Sequence, residues 1–263
     1  MTSNKMEPAP RSWKILVINP NTSVAITKRF EPFISDADIP GISTSYWTCP
    51  TGPSVITSQA ELEESTNHCI GPLMELADEF DGFLVAGYGD LPLVPLLRSR
   101  IPTKPVVGIF DASVFAALRL VAPDSKFGIV TTGVAYQDLL SDGVERLLRE
   151  SGETGVEQLA KFGGVVATGI AVQDLTLEAS HIAKEKVMAA TMKLVSSGDL
   201  NVVSMGGVIL AGMESWVHEA CELALGPEKG SKVKVIEQLV AGVLCLDAQL
   251  RHDSRPSYVR ALA

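Results

Sequence analysis

The stretch Lys14-Ile-Leu-Val-Ile-Asn-Pro-Asn-Thr22 is a short apolar run that ends in a polar turn. It has a counterpart later in the chain, Lys126-Phe-Gly-Ile-Val-Thr-Thr-Gly-Val134. A second pair of similar segments, Phe83-Leu-Val-Ala-Gly-Tyr-Gly89 and Val202-Val-Ser-Met-Gly-Gly-Val208, is separated by a similar length of chain. Because self-similarity at a nearly fixed spacing is typical of duplicated structures, these segments predict two domains of one design.

Short apolar runs and longer amphipathic segments alternate along the chain. The runs span residues 15–18, 82–86, 106–110, 127–130, 202–205 and 233–236, and the amphipathic segments include 58–79 and 175–196. Continuous apolar strands separated by helices indicate parallel sheets covered on both faces, so the predicted class is α/β. We expect two pseudo-symmetric, Rossmann-like or flavodoxin-like domains, with the active site in the cleft between them.

The predicted first domain consists of residues 14–118 and 233–252, and the second consists of residues 119–232. Residues 1–13 and 253–263 are expected to be tails. The N-terminal residues include Lys5, Glu7 and Arg11 with no apolar segment behind them, which does not resemble a secretory signal.

Composition argues against several classes of partner. The chain has 263 residues, of which 46% are hydrophobic, and its mean hydropathy of +0.22 is enough for a large core. The longest apolar runs are far shorter than the roughly 18 residues that a membrane span needs, so we expect no membrane partner. A net charge of −9 without a basic run argues against nucleic acid.

Motifs for cofactors and metals are absent from the sequence. The glycines at 87, 89, 206 and 207 lack the third glycine and the acidic residue of a dinucleotide site, and there is no P-loop motif. The four cysteines have no C-x-x-C spacing, which argues against a zinc site or a disulfide framework. We therefore expect no cofactor, no metal, and reduced thiols in a cytoplasmic protein.

Polar or glycine-rich turns follow four of the predicted strands. Ligands of open parallel sheets bind beyond the carboxyl ends of strands, so hydroxyls, amides and N–H groups in these turns could hold a substrate oxygen. The alternative interpretation is that the turns are only connections in which Gly, Asn and Thr serve as caps. The candidate substrate-binding residues are Asn19, Asn21, Thr22, Ser23, Trp47, Pro53, Ser54, Thr131, Thr132, Gly133 and Gly206.

Two residues are candidates for a catalytic base. Cys49 lies in a loop beside Tyr46 and Trp47, although a lone cysteine is more often a packed small residue than a nucleophile. Asp90 follows Gly87-Tyr-Gly89 and is equally well explained as a base or as a helix N-cap.

A series of short motifs runs from Lys14 to Leu246. They are Ile15-Leu-Val-Ile-Asn-Pro-Asn-Thr-Ser23, Gly52-Pro-Ser54, Asp81-Gly-Phe-Leu-Val-Ala86, Pro105-Val-Val-Gly-Ile109, Gly128-Ile-Val-Thr-Thr-Gly133 and Leu210-Ala-Gly-Met213. Together they resemble the Asp/Glu/hydantoin racemase superfamily, above all its hydantoin and allantoin racemases and their fungal relatives. The resemblance implies two pseudo-symmetric domains, a small-molecule substrate with a carbonyl or carboxylate, no cofactor, and a homo-oligomer.

The resemblance also implies a mechanism. In the family, one cysteine thiolate removes the proton beside a carbonyl, and a second thiol returns a proton to the opposite face. The resemblance places the first of these cysteines at Gly87 and the second at or next to Gly207, with Ser204 as the nearest polar residue under another alignment. Because glycine has no side chain, proton exchange needs a substitute: Cys49, Asp90, Tyr88 or water. Backbone N–H groups around the two glycines could still stabilise an enolate.

The sequence therefore predicts a cofactor-independent isomerase, racemase-like or epimerase-like, that acts at a carbon acid next to a carbonyl. The expected substrate is a small molecule such as a hydantoin or an amino-acid derivative. The alternative is a lyase or cyclase of the same fold, for example a decarboxylase-like enzyme, that uses an oxyanion cradle without thiol exchange. A third hypothesis is a binding protein without catalysis, which a ligand would stabilise without turnover.

Overall fold

The structure is a computed structural model that describes residues 12–37, 39–150, 157–170 and 180–253. The first half contains strands β1 (Trp13–Asn19), β2 (Ile42–Thr48), β3 (Gly82–Val85) and β4 (Val106–Gly108), with helices α1 (Val24–Asp36), α2 (Gln59–Glu75), α3 (Leu93–Arg100) and α4 (Ile109–Leu120). The second half contains strands β5 (Lys126–Thr131), β6 (Phe162–Ala167), β7 (Leu200–Gly206) and β8 (Lys234–Ile236), with helices α5 (Ala135–Glu150), α6 (Ser180–Val195), α7 (Glu214–Leu225) and α8 (Pro227–Gly230). Helix α9 (Gln238–Asp253) follows β8, and short 3₁₀ turns lie at Ala77–Glu79 and Val208–Leu210.

The strands form two four-stranded sheets, in the orders β2-β1-β3-β4 and β6-β5-β7-β8. All pairings between described strands are parallel. The shared order confirms the duplication, because β1 and β5 occupy equivalent places in the two sheets, as do β3 and β7. The predicted α/β class with parallel sheets is confirmed.

Strand β1 shows why the apolar runs are continuous. Each of its residues is buried except Lys14. Ile15 and Val17 belong to a core cluster with residues of α1 and α9, whereas Leu16 and Ile18 pack with residues of α2 and α3. Since successive side chains of a strand point to opposite faces, both sides of the sheet need apolar residues. Each fully buried side chain of this size contributes about 1.5–3 kcal/mol.

The edge strands are where the sequence-based prediction is incomplete. Neither β2 nor β6 contains a fully buried residue, so neither produces the continuous apolar run by which the inner strands are recognised. The predicted run 106–110 is divided in the structure, because β4 ends at Gly108 and the buried residues Ile109 and Phe110 begin α4.

The domain boundaries also differ from the prediction. Residues 233–252 were assigned to the first domain, but β8 pairs with β7 in the second sheet, and only α9 returns to the first core. Trp13, assigned to the N-terminal tail, begins β1 and is 6% exposed. Residues 1–11 and 254–263 of the predicted tails lie outside the described residues, as do residues 175–179 of the amphipathic segment 175–196. Among the described helices, none combines the length and apolarity of a membrane span.

Candidate active site

The turns after β1, β3, β5 and β7 border one cavity with a volume of about 180 Å³. This is smaller than the roughly 300–1,000 Å³ pockets that hold drug-sized ligands, so the cavity suits a small molecule. The predicted site residues that line it are Asn21, Ser23, Ser54, Gly87, Tyr88, Thr131, Thr132, Gly206 and Gly207. The predicted site residues that are not part of this lining are Asn19, Thr22, Trp47, Cys49, Pro53, Asp90 and Gly133.

Asn19 supports the turn after β1 through the hydrogen bonds of its side chain. It is fully buried, and its Nδ2 donates to the carbonyl of Ser23 at 2.9 Å and to the hydroxyl of Thr27 at 3.0 Å. Its Oδ1 accepts the N–H of Asn21 at 3.2 Å, and the Oδ1 of Asn21 accepts the N–H of Ser23 at 2.9 Å. Because all polar atoms of the Asn19 side chain are engaged, this residue supports the turn, whereas the Nδ2 of Asn21 has no partner among the described residues.

The equivalent turn after β5 places two threonines side by side with different roles. The hydroxyl of Thr131 donates to the carbonyl of Gly206 at 2.6 Å, which ties β5 to β7. The carbonyl of Thr132 accepts the N–H of Gly169 at 2.6 Å, and this fixes the backbone of the turn. The hydroxyl of Thr132 borders the cavity and has no partner within the described chain, so it can donate to a ligand.

The surroundings of Gly87 and the backbone of Gly207 both disfavour a side chain. A Cβ atom on Gly87 would lie 2.7 Å from the Cγ of Pro20 and 3.0 Å from a methyl of Leu91. Gly207 has a φ of +143°, a conformation that side chains of L-residues rarely adopt. A thiol therefore cannot be added at either position without a local shift or backbone strain.

Unpaired backbone donors surround the same cavity. The N–H groups of Gly87, Tyr88, Gly207 and Val208 donate to no other described residue. These donors belong to turns of both sheets, and all four residues line the cavity. N–H groups held in turns can stabilise negative charge on a substrate oxygen, and we call this set of donors the oxyanion cradle.

The two candidate bases are held away from the cavity lining. Cys49 is 1% exposed, and its thiol donates to the carbonyl of Thr51 at 3.1 Å. The carboxylate of Asp90 accepts a hydrogen bond from the guanidinium of Arg146 on α5 at 2.5 Å. Neither group is presented to a ligand in the cavity, because Cys49 packs in the core between β1 and α2 and Asp90 forms an ion pair between the domains.

Tyr88 connects the two domains through its side chain. Its hydroxyl is 3.0 Å from the hydroxyl of Ser204 on β7, and its ring packs edge-on against Phe110 with a centroid distance of 5.4 Å. Burial raises the pKa of Tyr88 well above its ordinary value of 10. The phenol therefore stays protonated at physiological pH, and its ring forms part of the cavity wall.

One side of the cavity is an apolar wall that the sequence analysis missed. Its members include Leu62, Leu91, Leu139, Val208 and Ile209, which come from both domains. Tyr136 also lines the cavity, and burial together with the charge of Glu61 raises its pKa. These residues belong to otherwise ordinary apolar patterns, so only their tertiary placement distinguishes them from core residues.

The described lining contains no His, Cys, Asp, Glu, Lys or Arg side chain. In the described parts of the chain, no three His, Cys, Asp or Glu side chains gather as a metal site. The arrangement combines neutral hydrogen-bond donors with an apolar wall. It can bind a small uncharged molecule through its carbonyl oxygens, and it offers no side chain that would remove a proton at neutral pH.

Comparison with known proteins gives concordant matches. A family model described as Asp/Glu/hydantoin racemase matches residues 15–245. An uncharacterized protein of Schizosaccharomyces pombe is 30% identical over 90% of this chain and 92% of its own length. A hydantoin racemase of Pseudomonas sp. strain NS671 is 34% identical over 50% of this chain and 51% of its own length. The crystal structure of an allantoin racemase from Pseudomonas fluorescens superimposes with a TM-score of 0.71 at 22% identity, covering 94% of each chain.

Proposed function

Because the chain belongs to the Asp/Glu/hydantoin racemase family, we propose that it is a cofactor-independent isomerase of a small carbon acid whose acidic carbon lies next to a carbonyl. Family membership supports the racemase-like isomerase function. The oxyanion cradle, defined by the N–H groups of Gly87, Tyr88, Gly207 and Val208, is the observation that supports a carbon acid as the substrate. It is suited to the enolate through which such a carbon inverts.

In this mechanism the substrate carbonyl oxygen accepts hydrogen bonds from the cradle and from the hydroxyl of Thr132. The C–H bond breaks, the proton passes to water or hydroxide in the cavity, and the electron pair is delocalised onto the carbonyl oxygen. Water then returns a proton to either face of the carbon, which racemises it. One well-placed oxyanion donor is worth about 10²–10³-fold in kcat, so several donors can replace part of what a thiol base supplies.

The absence of charged side chains from the described lining favours a neutral substrate. A free amino acid would bring a carboxylate and an ammonium group into a cavity that has no ion-pair partner for either, which is costly. A 5-substituted hydantoin carries its carbonyls in a neutral ring and can place its substituent against Leu62, Leu91 and Leu139. The hydantoin racemase activity named for one similar protein points in the same direction.

Proton NMR in D₂O tests this function. Enantiopure 5-methylhydantoin, 5-benzylhydantoin and allantoin are incubated with the enzyme, and we expect deuterium to replace the proton at C5 together with loss of optical rotation. Thr132→Val should slow the exchange about 10²-fold. Thr191→Val is the matched control, because Thr191 also has an unpartnered hydroxyl but lies in α6, outside the cavity lining.

Two results would contradict the proposal. If none of the substrates exchanges its proton, the proposed isomerase function is wrong. Loss of exchange in Cys49→Ala or Asp90→Asn, with normal folding, would show that a side-chain base does the work that we assign to water.

A lyase is the second candidate, favoured by the lack of any thiol or carboxylate in the described lining. In a decarboxylation, the bond between the carbon and its carboxylate breaks, CO₂ leaves, and the electron pair is again held on the neighbouring carbonyl oxygen. Water then protonates the enolate. An arylmalonate in the same NMR experiment separates the two functions, because a lyase yields a decarboxylated product and an isomerase returns only labelled substrate.

A further inference from the structure

Gln238 is fully buried at the start of α9, where the chain passes from the second sheet back to the first domain. Its Nε2 donates to the carbonyl of Gly207 at 3.0 Å. The N–H of Leu210 donates to the same carbonyl at 2.9 Å. The carbonyl of Gly207, which follows β7 at the edge of the cavity, is therefore held by two donors.

The oxygen of the Gln238 side-chain amide has no hydrogen-bond partner among the described residues. Its Oε1 is buried and accepts no hydrogen bond from the described residues. The amide cannot be turned over, because the carbonyl of Gly207 accepts only and needs Nε2 on its side. A buried acceptor without a donor costs about 1–3 kcal/mol, so a methionine of similar shape would serve packing at least as well.

The bond to Gln238 fixes the orientation of the next peptide N–H. In a planar trans peptide the carbonyl of Gly207 and the N–H of Val208 point in opposite directions. Gln238 is not part of the cavity lining, whereas Gly207 and Val208 are. The N–H of Val208, which has no described acceptor, therefore points away from Gln238.

The backbone of Gly207 does not fix this orientation by itself, because glycine is conformationally permissive, so a contact from another residue is needed. Its φ of +143° and ψ of 133° lie in a region that glycine enters easily and can also leave. A rotation of the peptide that follows it would turn a carbonyl oxygen toward the substrate oxygen in place of an N–H donor.

We propose that Gln238 is a positioning residue that keeps the N–H of Val208 directed into the oxyanion cradle. This inference rests on the proposed function, because it assigns a task to that same site. Gln238 acts through the Gly207 peptide and does not touch the substrate.

The test compares Gln238→Met with Gln158→Met. Gln158 also has a buried Oε1 without a partner but lies outside the cavity lining, so its replacement controls for loss of a buried amide. We expect Gln238→Met to lower kcat for C5 exchange of 5-benzylhydantoin about 10–100-fold, with KM changed less than about 3-fold, since one cradle donor is misdirected. Gln158→Met should keep both constants, and thermal unfolding should show both variants folded.

A second measurement does not depend on turnover. The ¹⁵N-labelled wild type is titrated with 5-benzylhydantoin, and we expect the amide proton signal of Val208 to shift, with a smaller shift in Gln238→Met. An unshifted Val208 signal in the wild type, or wild-type kcat in Gln238→Met, would overturn the inference. Failure of exchange in the wild type with a Val208 shift that depends on Gln238 would overturn the isomerase function and leave the inference standing.

Discussion

Replacing Glu237 by glutamine should change how the stability of the protein depends on pH. Glu237 caps α9, since its Oε2 accepts the N–H of Val240 at 2.7 Å, whereas its Oε1 is buried without a partner among the described residues. Burial outweighs the bonds from the backbone N–H groups and, with the charge of Glu214, raises the pKa of Glu237 from 4.5 to about 7. A difference of this size corresponds to about 3 kcal/mol.

The sign follows from proton binding. Because the pKa in the folded state lies above that of the unfolded state, the folded protein holds the extra proton, and the stability this gives is complete below pH 4.5 and lost as pH rises through about 7. Glutamine cannot titrate and can still cap the helix through its amide oxygen. From acidic pH to about pH 8, the free energy of unfolding of the wild type should therefore decrease by up to about 3 kcal/mol. Glu237→Gln should not show this decrease.

Urea unfolding across this pH range measures the difference directly, because the linear extrapolation gives the free energy of unfolding at each pH. Glu228→Gln is the matched control, since the Glu228 side chain is 93% exposed and its replacement should follow the wild-type curve. Parallel pH dependences of wild type and Glu237→Gln would refute the reasoning, as would a lower stability of that variant at the alkaline end.

Three further predictions follow from other contacts. Gly87→Cys should destabilise the fold by about 1–3 kcal/mol through crowding, and Gly207→Cys by a similar amount through backbone strain, as thermal unfolding can measure. The double variant should not exchange protons by a two-thiol mechanism, which NMR in D₂O tests. Tyr88→Phe should lower the free energy of unfolding by about 1 kcal/mol, because the bond to Ser204 between the domains is lost, and an unchanged urea midpoint would contradict this. Arg29→Met should lower the free energy of unfolding by about 1.5–3 kcal/mol, because the guanidinium donates to two carbonyls of the segment after β7 at 3.0 and 3.3 Å. Calorimetry measures this loss, and a variant more stable than the wild type would contradict the prediction.

Much of the architecture could be predicted because inner strands leave a local signal. The run Ile15-Leu-Val-Ile18 is apolar throughout since both faces of its sheet are covered, and its repetition at 126–131 indicated the second domain. The edge strands left no such signal, because half-exposed positions accept polar residues. The boundary at 233 could not be located either, since sheet pairing of β8 is a long-range property.

The candidate site was predicted in part. The turns after β1, β3, β5 and β7 were expected to meet, and they do, because the carboxyl ends of parallel strands share one edge. The direction of each side chain could not be predicted. Asn19 and Asn21 are two positions apart, yet both ends of the Asn19 amide are bonded within the turn, whereas Asn21 lines the cavity. Asp90 forms an ion pair with Arg146, and the sequence could not predict this pair because the two residues are distant along the chain.

The sequence by itself determined the α/β class, the duplication, the family and the fact that Gly87 and Gly207 carry no thiol, because these depend on residue identity and local order. Only the tertiary structure decided that Cys49 and Asp90 are engaged away from the cavity and that the described lining is neutral. It alone brought Gln238 against the carbonyl of Gly207. The physical reason is that the character of a site depends on which polar groups are already paired, and pairing is settled by contacts between residues distant along the chain.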